Sequence, residues 1–524
     1  MKRVTQGHLS PSCRQTTTKQ LEKQYATRKA ELKEKLSTID RVCTTADCWT
    51  SRRRSFLGIT VHWLDTDTLE RKGCCLAVRQ VEGRHTYGVL AKLMSSINDE
   101  YDLTDKICFT VIDSGANFLK AFSHFAVEER SELPPSSSDD RSMDESDDME
   151  FREIHDLLQS PPTANADEDD DNEYKLPQHW RCACQSLNLV ASTDAGKLTD
   201  TVKRIATQTF AKLQGLWNKQ NRSSVASDKI RSALGCLLVT PGETRWNSTY
   251  DAVVKIHHLL SSPNTEAKFD KLCEELDIRH LLPQQKMFVQ EYVEVFQPVC
   301  CGLDVLQGEK DVGLGHLLPT LAVVKGQLTD MLADNKLSVC GPIVQLLLNG
   351  IENRFKLMLT NTNAQLAAVV HPKFKCDWVL DEDERSRLVN ILKRRMHSVA
   401  STASISHPAD NNENPHTSAT ETSASPPKDF FAVLASRRQQ AAAGVGCDIE
   451  EELSKYLSDS SADLNSLDRY PNIRKLYITL NTGLPASAAV ERLFSLGGRV
   501  FSPLRAKLSS EHFEMMLFLR CANF

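Results

Sequence analysis

The first quarter of the chain contains apolar runs of strand length, separated by polar turns and by helical patterns. β-Branched, aromatic and small apolar residues, bounded by Asp, Ser or Gly, predict four strands at 42–51, 56–64, 74–81 and 107–113. Apolar residues at helical spacing predict helices before the first strand, over about 18–36, and between the third and fourth strands, over 85–98. This order of strands and helices predicts an α/β fold class.

The middle of the chain has a different pattern, with helical spacing and no convincing strand alternation. It predicts a block of helices at 196–219, 245–261, 284–306, 314–333 and 343–360. Helical spacing returns near the end, where Gly497-Gly498 predicts the stop of one helix and Ser509 the cap of the next.

Three acids stand at notable places in this pattern. Asp47 and Asp113 each end a predicted strand, and Glu491 lies in an otherwise apolar helical segment. A carboxylate beside a buried face is costly unless it has a partner or a cation. The alternative interpretation is that the two aspartates are turn or cap residues and Glu491 is a solvated helix acid.

Charge is distributed unevenly along the chain. The formal net charge is −6, but residues 128–174 hold eighteen acids and three arginines, so the remainder of the chain carries +9. This acidic stretch has too few apolar residues for a core, which predicts a disordered loop. We interpret it as a solvated spacer; the alternative is an internal mimic of DNA that competes for a basic groove.

The cysteines and the apolar runs indicate an intracellular protein. Sixteen cysteines are scattered through apolar segments, which favours reduced, buried thiols over a disulfide framework. No two of them have the two-residue spacing of a zinc finger, so no zinc site is predicted. Neither a membrane span nor a secretory signal is indicated.

Five short sequence motifs resemble those of a known family. They resemble motifs of hAT superfamily DNA transposases, in particular domesticated vertebrate members of the type that carries a BED finger. The five motifs lie at 45–51, 111–117, 181–189, 244–248 and 487–495. The resemblance covers about residues 37–523. It implies a ribonuclease H-like mixed sheet interrupted by a large all-α insertion domain, with a C-terminal dimerisation region.

The resemblance also implies a domain division. The expected segments are an N-terminal charged helix (1–36), the first part of the ribonuclease H-like domain (37–127), the disordered acidic loop (128–176), the fifth strand and following turn (177–195), the all-α insertion (196–397), a disordered linker (398–428) and the C-terminal region that completes the fold (448–524).

The resemblance assigns roles to individual residues. Asp47, Asp113 and Glu491 match the three catalytic acids, which would bind Mg²⁺ in an active enzyme. Trp246 matches a tryptophan that supports bases near the cut. The C-terminal helices match the dimerisation region, where the expected contacts are Leu493, Phe494, Phe513, Met516 and Leu517. From the residues alone, the basic run Arg52, Arg53 and Arg54 is a candidate phosphate contact.

Three departures from the family pattern bear on activity. Gln185 stands where the family has a histidine, the segment 464–477 before the third acid is short, and a BED finger is missing. We therefore expect a transposase-derived nuclear protein that self-associates and contacts DNA, without strand transfer. The alternatives are an active Mg²⁺-dependent transposase and a protein-interaction scaffold that does not bind DNA. No membrane partner and no small-molecule substrate is expected.

Overall fold

The computed structural model describes residues 14–51, 53–83, 86–113, 176–198, 200–242, 246–308, 310–405, 449–501 and 507–521. The predicted acidic loop lies almost entirely outside these residues, as does most of the predicted linker. The described part is a mixed α/β structure, mostly helical, built around one five-stranded sheet.

The sheet combines antiparallel and parallel neighbours. Its order is β3-β2-β1-β4-β5; β1 pairs antiparallel with β2 and parallel with β4, while β2–β3 is antiparallel and β4–β5 is parallel. The strands are β1 (Val42–Ser51), β2 (Arg54–Leu64), β3 (Arg71–Val81), β4 (Ile107–Ile112) and β5 (His179–Arg181). The four strands predicted from the sequence are confirmed, although β3 starts earlier than expected.

One face of the sheet is covered by two helices from the first part of the chain. These are α1 (Arg14–Ser37) and α2 (Tyr87–Glu100). Leu32 and Leu36 of α1 and Leu90 of α2 are buried against odd-numbered side chains of β2, including Trp63. Alternate residues of a strand point to opposite faces, so the even-numbered side chains of β2 face the other way.

A helical block follows β5. Its helices are α3 (Ala183–Leu189, continued as a π-helical turn to Asp194), α4 (Asp200–Arg222), α5 (Ser224–Leu234), α6 (Trp246–Leu260), α7 (Pro263–Glu275), α8 (Pro283–Leu306), α9 (Leu317–Ala333), α10 (Gly341–Leu359), α11 (Thr362–Val369) and α12 (Glu382–Ile405). One apolar core joins most of these helices to β4 and β5, where Phe109 stacks on Trp180 at a centroid distance of 5.3 Å. Helix α12 continues to residue 405, so the linker prediction that began at 398 was wrong for those residues.

Four helices form the C-terminal part: α13 (Ile449–Ser458), α14 (Pro471–Asn481), α15 (Ala488–Val500) and α16 (Ser510–Cys521). Helices α15 and α16 cover the second face of the sheet, where Val490 and Phe494 pack with Phe56 and Val78. The predicted helix stop at Gly497-Gly498 was wrong, because α15 runs through both glycines. A Cβ on Gly497 would lie only 3.3 Å from the ring of Phe513, so the glycine allows α16 to pack closely.

Two expectations from composition can be compared with the described residues. Their fourteen cysteines are free thiols, and nine of them are buried, as predicted. Within the described ranges, we find no helix that is both long and apolar enough to cross a membrane.

Candidate functional site

The register of the parallel strands β1 and β4 brings two of the predicted acids together. Ala46 is paired with Ile112, so Asp47 is the next residue on β1 and Asp113 follows directly after β4. Asp47 lies within β1, which continues to Ser51, and not at the end of the strand as predicted. Burial raises the pKa of Asp47 well above its usual range, and the nearby charge of Asp113 raises it further; the backbone N–H of Cys48, 2.7 Å from Asp47 Oδ1, acts in the opposite direction. The two carboxyl groups therefore interact electrostatically at the end of the sheet.

Helix α15 packs beside this acid pair. Gly58 of β2 is the register partner of Asp47, and an added Cβ there would lie 2.6 Å from Phe494 Cζ and 3.0 Å from Val490 Cγ2. Only a glycine leaves room for the helix at this point. Glu491 lies in the first turn of α15, next to Val490, and its side chain is half-buried.

Cys182 connects β5, α15 and the acids. Its backbone N–H donates to the carbonyl of Ile112 (2.8 Å), and its Sγ accepts from the backbone N–H of Ser487 (3.4 Å). Hydrogen bonds from Cys184, Ser487 and Gln185 lower the pKa of Cys182 to about 6, although burial opposes them. Cys182 also raises the pKa of Asp47, which indicates that the motif at 181–189 lies beside the acid pair.

Two adjacent aspartates are suitable ligands for a hard divalent cation, because they supply oxygen atoms and because a cation offsets the repulsion between their charges. By donor type and charge, Asp47 and Asp113 fit Mg²⁺. Among the described residues, however, no group of three or more His, Cys, Asp or Glu side chains is placed so that it could hold a metal ion. The structure thus brings two of the predicted acids together, and Glu491 does not complete a three-residue metal cluster with them.

Trp246 is part of the core of the helical block. Its side chain is 8% exposed, its Nε1 donates to Tyr292 Oη (3.0 Å), and its ring packs on Tyr250 and Phe296. Its backbone N–H donates to Asn188 Oδ1 (2.9 Å). The ring would have to leave these partners before a base could stack on it, so the observed contacts assign it a packing role.

The three candidate phosphate-binding arginines lie in the β1–β2 hairpin. Arg52 is outside the described residues. Arg53 is exposed in the turn with a φ of 64°, whereas Arg54 donates to the carbonyl of Leu508 (2.8 Å) and lies over the ring of Phe501. Of the two described arginines, Arg54 joins the hairpin to the C-terminal part, and Arg53 is accessible to a phosphate.

The predicted dimerisation residues lie within the chain's own core. Four of them are at most 6% exposed and Met516 is half-buried: Leu493, Phe494, Phe513, Met516 and Leu517. Of these five side chains, Met516 is the one that remains partly accessible on the surface of this chain.

A cavity of about 850 Å³ lies on the same face of the sheet as α15 and was not predicted from the sequence. His62, Arg71 and Arg492 are among its lining residues. Arg71 lies between the predicted strands 56–64 and 74–81, and no local pattern in the sequence links it to Arg492, which is more than 400 residues away.

Comparison with known proteins adds to this geometry. Residues 449–522 match the hAT family C-terminal dimerisation region. We call this matched segment the hAT region. It is also 26% identical over 247 residues to the putative AC transposase of Zea mays and 27% identical over 247 residues to the putative AC9 transposase of the same plant. These findings support a relationship to hAT-family transposases.

Each maize alignment covers 46% of this chain, and the chain spans about a quarter of the length of these relatives, 26% and 25% respectively. A third relative is a putative transcriptional regulator of Talaromyces stipitatus, 29% identical over 106 residues, which are 20% of this chain and 12% of the fungal protein. The hAT region itself includes α13 to α16, and thus the helix that carries Glu491.

Proposed function

We propose that this chain is a transposase-derived nuclear protein with a ribonuclease H-like core, which self-associates through its hAT region and contacts DNA without strand-transfer activity. The observation that carries the proposal is the match of 449–522 to the hAT C-terminal dimerisation region. The strand order β3-β2-β1-β4-β5, with the acids on β1 and directly after β4, supports a ribonuclease H-like core. The names of the relatives support a nuclear location.

Two features of the site support the absence of strand transfer. Gln185 replaces the family histidine with an amide, which cannot exchange a proton near neutral pH. Trp246, matched to the base-supporting tryptophan, is covered by Tyr250 and Phe296. A chain can keep an acid pair for its fold after the surrounding groups have changed.

Self-association is tested by sedimentation of the full chain over a range of concentrations. We expect a species of twice the chain mass, together with slower hydrogen exchange within 449–521 as concentration rises. A single species at the mass of one chain up to high micromolar concentration would contradict the proposed role of the hAT region.

DNA contact is tested by fluorescence anisotropy at several salt concentrations. Binding through phosphates weakens as salt rises, and Arg53→Gln should reduce the log–log slope by about one. Arg231→Gln, at an exposed position on α5, is the matched control. If no binding occurs even at low salt, the scaffold function replaces our proposal.

The second candidate is an active Mg²⁺-dependent DNA transposase, favoured by the adjacency of Asp47 and Asp113. In that case the pair would hold the cation, which would activate a nucleophile and stabilise the leaving oxygen. The test is a DNA nicking and hairpin assay with Mg²⁺ or Mn²⁺, in which we expect no product. Cleavage that Asp113→Asn abolishes would establish the second candidate.

A further inference from the structure

The large cavity lies between the sheet, the C-terminal helices and the loop after α8. Its volume of about 850 Å³ is within the usual range of ligand sites, about 300–1,000 Å³. Its apolar lining includes Tyr477, Leu484, Leu493 and Leu496. A site of this size with both apolar and charged walls can hold a whole small molecule.

The wall formed by β2 and β3 carries His62 and Arg71. His62 is the register partner of Gly73, and a Cβ on Gly73 would overlap the imidazole ring. The ring is further held by a hydrogen bond between Nε2 and Thr60 Oγ1 (2.8 Å). This glycine therefore lets the ring lie against the strand at the cavity wall.

Arg71 is a half-buried cation held by backbone oxygens. It donates to the carbonyls of Asn481 and Thr482 at the C-terminal end of α14, where a positive charge is favourable. These bonds use one N–H of each terminal nitrogen, and a guanidinium has five N–H groups. Burial lowers the pKa of Arg71, which reflects the cost of removing this charge from water.

Arg492 supplies a second cation from α15. Its Nη1 donates to the carbonyl of Gln307 (3.0 Å). Burial, together with the nearby charges of Arg71 and Arg492, lowers the pKa of His62 to about 3, so both guanidinium groups are close enough to act on this ring. Two cations around one neutral histidine produce a positive potential in the interior of the cavity.

The acids that line the cavity do not cancel this potential. Glu70, Asp311 and Asp463 are all exposed, so they lie towards the outer rim. Glu70 already binds Lys72 (2.6 Å), and Asp463 accepts from the backbone N–H of Asn465 (3.1 Å). Charge and depth therefore favour an anion at the inner wall.

We propose that this cavity binds a small phosphorylated ligand of nucleotide size, with its phosphates on Arg71 and Arg492 and its less polar part against Tyr477 and Leu496. Guanidinium groups recognise phosphate through paired hydrogen bonds, and aromatic and aliphatic side chains accept a base or ring. This site is separate in role from the acid pair, so it requires neither DNA binding nor strand transfer.

The test is isothermal titration calorimetry of the full chain with ATP, GTP and inorganic pyrophosphate. We expect one site per chain for a nucleoside triphosphate, with weaker binding of pyrophosphate. Arg492→Gln should weaken nucleotide binding at least tenfold, while Arg231→Gln on the exposed face of α5 should leave it unchanged. Thermal unfolding of each variant without ligand verifies that it is folded.

If Arg492→Gln does not fold, a variant that fills the cavity tests the same site. Leu496→Trp places an indole in the cavity without removing a charge, and it should also abolish binding. The proposal is overturned if no nucleotide binds at millimolar concentration, or if binding is unaffected in the folded variants. A 5′-phosphorylated oligonucleotide provides a further comparison. The proposal is overturned if this oligonucleotide binds the cavity more tightly than free nucleotides do, while the same oligonucleotide without its phosphate does not bind.

Discussion

Two buried glutamates show how single residues hold the helices of this protein. Glu291 is 6% exposed and accepts the backbone N–H groups of Ser338, Val339 and Cys340 at 2.7–2.8 Å, just before α10 begins. Glu452 is 1% exposed and accepts from the start of α14 in the same manner. A carboxylate at the N-terminus of a helix satisfies unpaired donors and interacts favourably with the helix dipole.

Glu291→Gln should therefore destabilise the protein by about 2–4 kcal/mol, because hydrogen bonds to a charged acceptor contribute about 1.5–3 kcal/mol each and an amide can replace only part of them. The measurement is urea unfolding followed by circular dichroism. Glu294→Gln, at an exposed position on the same helix, is the control and should change stability by less than about 0.5 kcal/mol. Equal effects of the two substitutions would contradict the capping role.

Helices α15 and α16 both contact the sheet through aromatic side chains. Trp49 of β1 stacks on Phe494 (5.7 Å between centroids) and Phe513 (6.0 Å). These contacts lie two residues beyond Asp47, so they also set the distance between α15 and the acid pair. The interaction between this helix and the sheet thus joins the end of the chain to its beginning.

Trp49→Ala should loosen α15 and α16 together. We expect a loss of about 2–4 kcal/mol, somewhat below that of a fully buried aromatic because Trp49 is half-buried. Hydrogen exchange should accelerate across 488–521. Trp378→Ala, which removes another half-buried indole from a different core, is the matched control and should leave exchange in 488–521 unchanged.

The elements that the sequence predicted best are those with strong periodicity. The strands and α8 have dense, regular apolar positions and were located within a few residues. Helices such as α5, α7 and α14 are short and rich in polar residues, so their pattern was too weak to predict. The glycines at 497 and 498 were misinterpreted because a close approach of Trp49 and Phe513 depends on tertiary structure.

The candidate site, like the fold, was predictable only in part. The family resemblance implied that Asp47 and Asp113 belong to one site, whereas the strand pattern alone did not show that β1 and β4 are neighbours. The burial of Trp246 depends on Tyr250, Phe296 and Tyr292, and the basic cavity depends on residues from β2, β3 and α15. Such contacts between distant segments leave no local pattern in one sequence.

At the scale of the whole molecule, two buried histidines join the helical block to the C-terminal part. His316 and His371 contact each other edge to face at 4.8 Å, and His371 also packs on Tyr477. Burial is the main cause that lowers the pKa of His316 to about 4 and of His371 to about 3. Lys373 and Arg71 add positive charge nearby, so protonation of either ring is unfavourable in the folded protein.

This arrangement predicts a loss of stability in mild acid. An unfolded histidine binds a proton near pH 6.5, so between that pH and about 4 the unfolded chain binds more protons than the folded one, and stability falls as pH falls. Well above pH 6.5 both rings are neutral in the folded and the unfolded state, so they should contribute little pH dependence there. The limiting slope is about 1.4 kcal/mol per pH unit for each ring.

Urea unfolding at pH 7.5, 6.5, 5.75 and 5.0 measures this dependence before most carboxylates are protonated. His371→Phe keeps an aromatic ring at this position and removes one titrating group, so the slope below pH 6.5 should decrease. An identical slope in the variant would show that other groups cause the acid sensitivity.

The two faces of the sheet are covered by helices from opposite ends of the chain, which matters while the protein is being synthesised. Roughly 400 residues separate the end of β3 from α15, which shields Phe56 and Val78. At about 5–20 residues per second, a ribosome takes roughly 20–80 s to make that stretch. Until then α15 cannot cover Phe56 and Val78, so we expect a nascent chain to be prone to aggregation through this face.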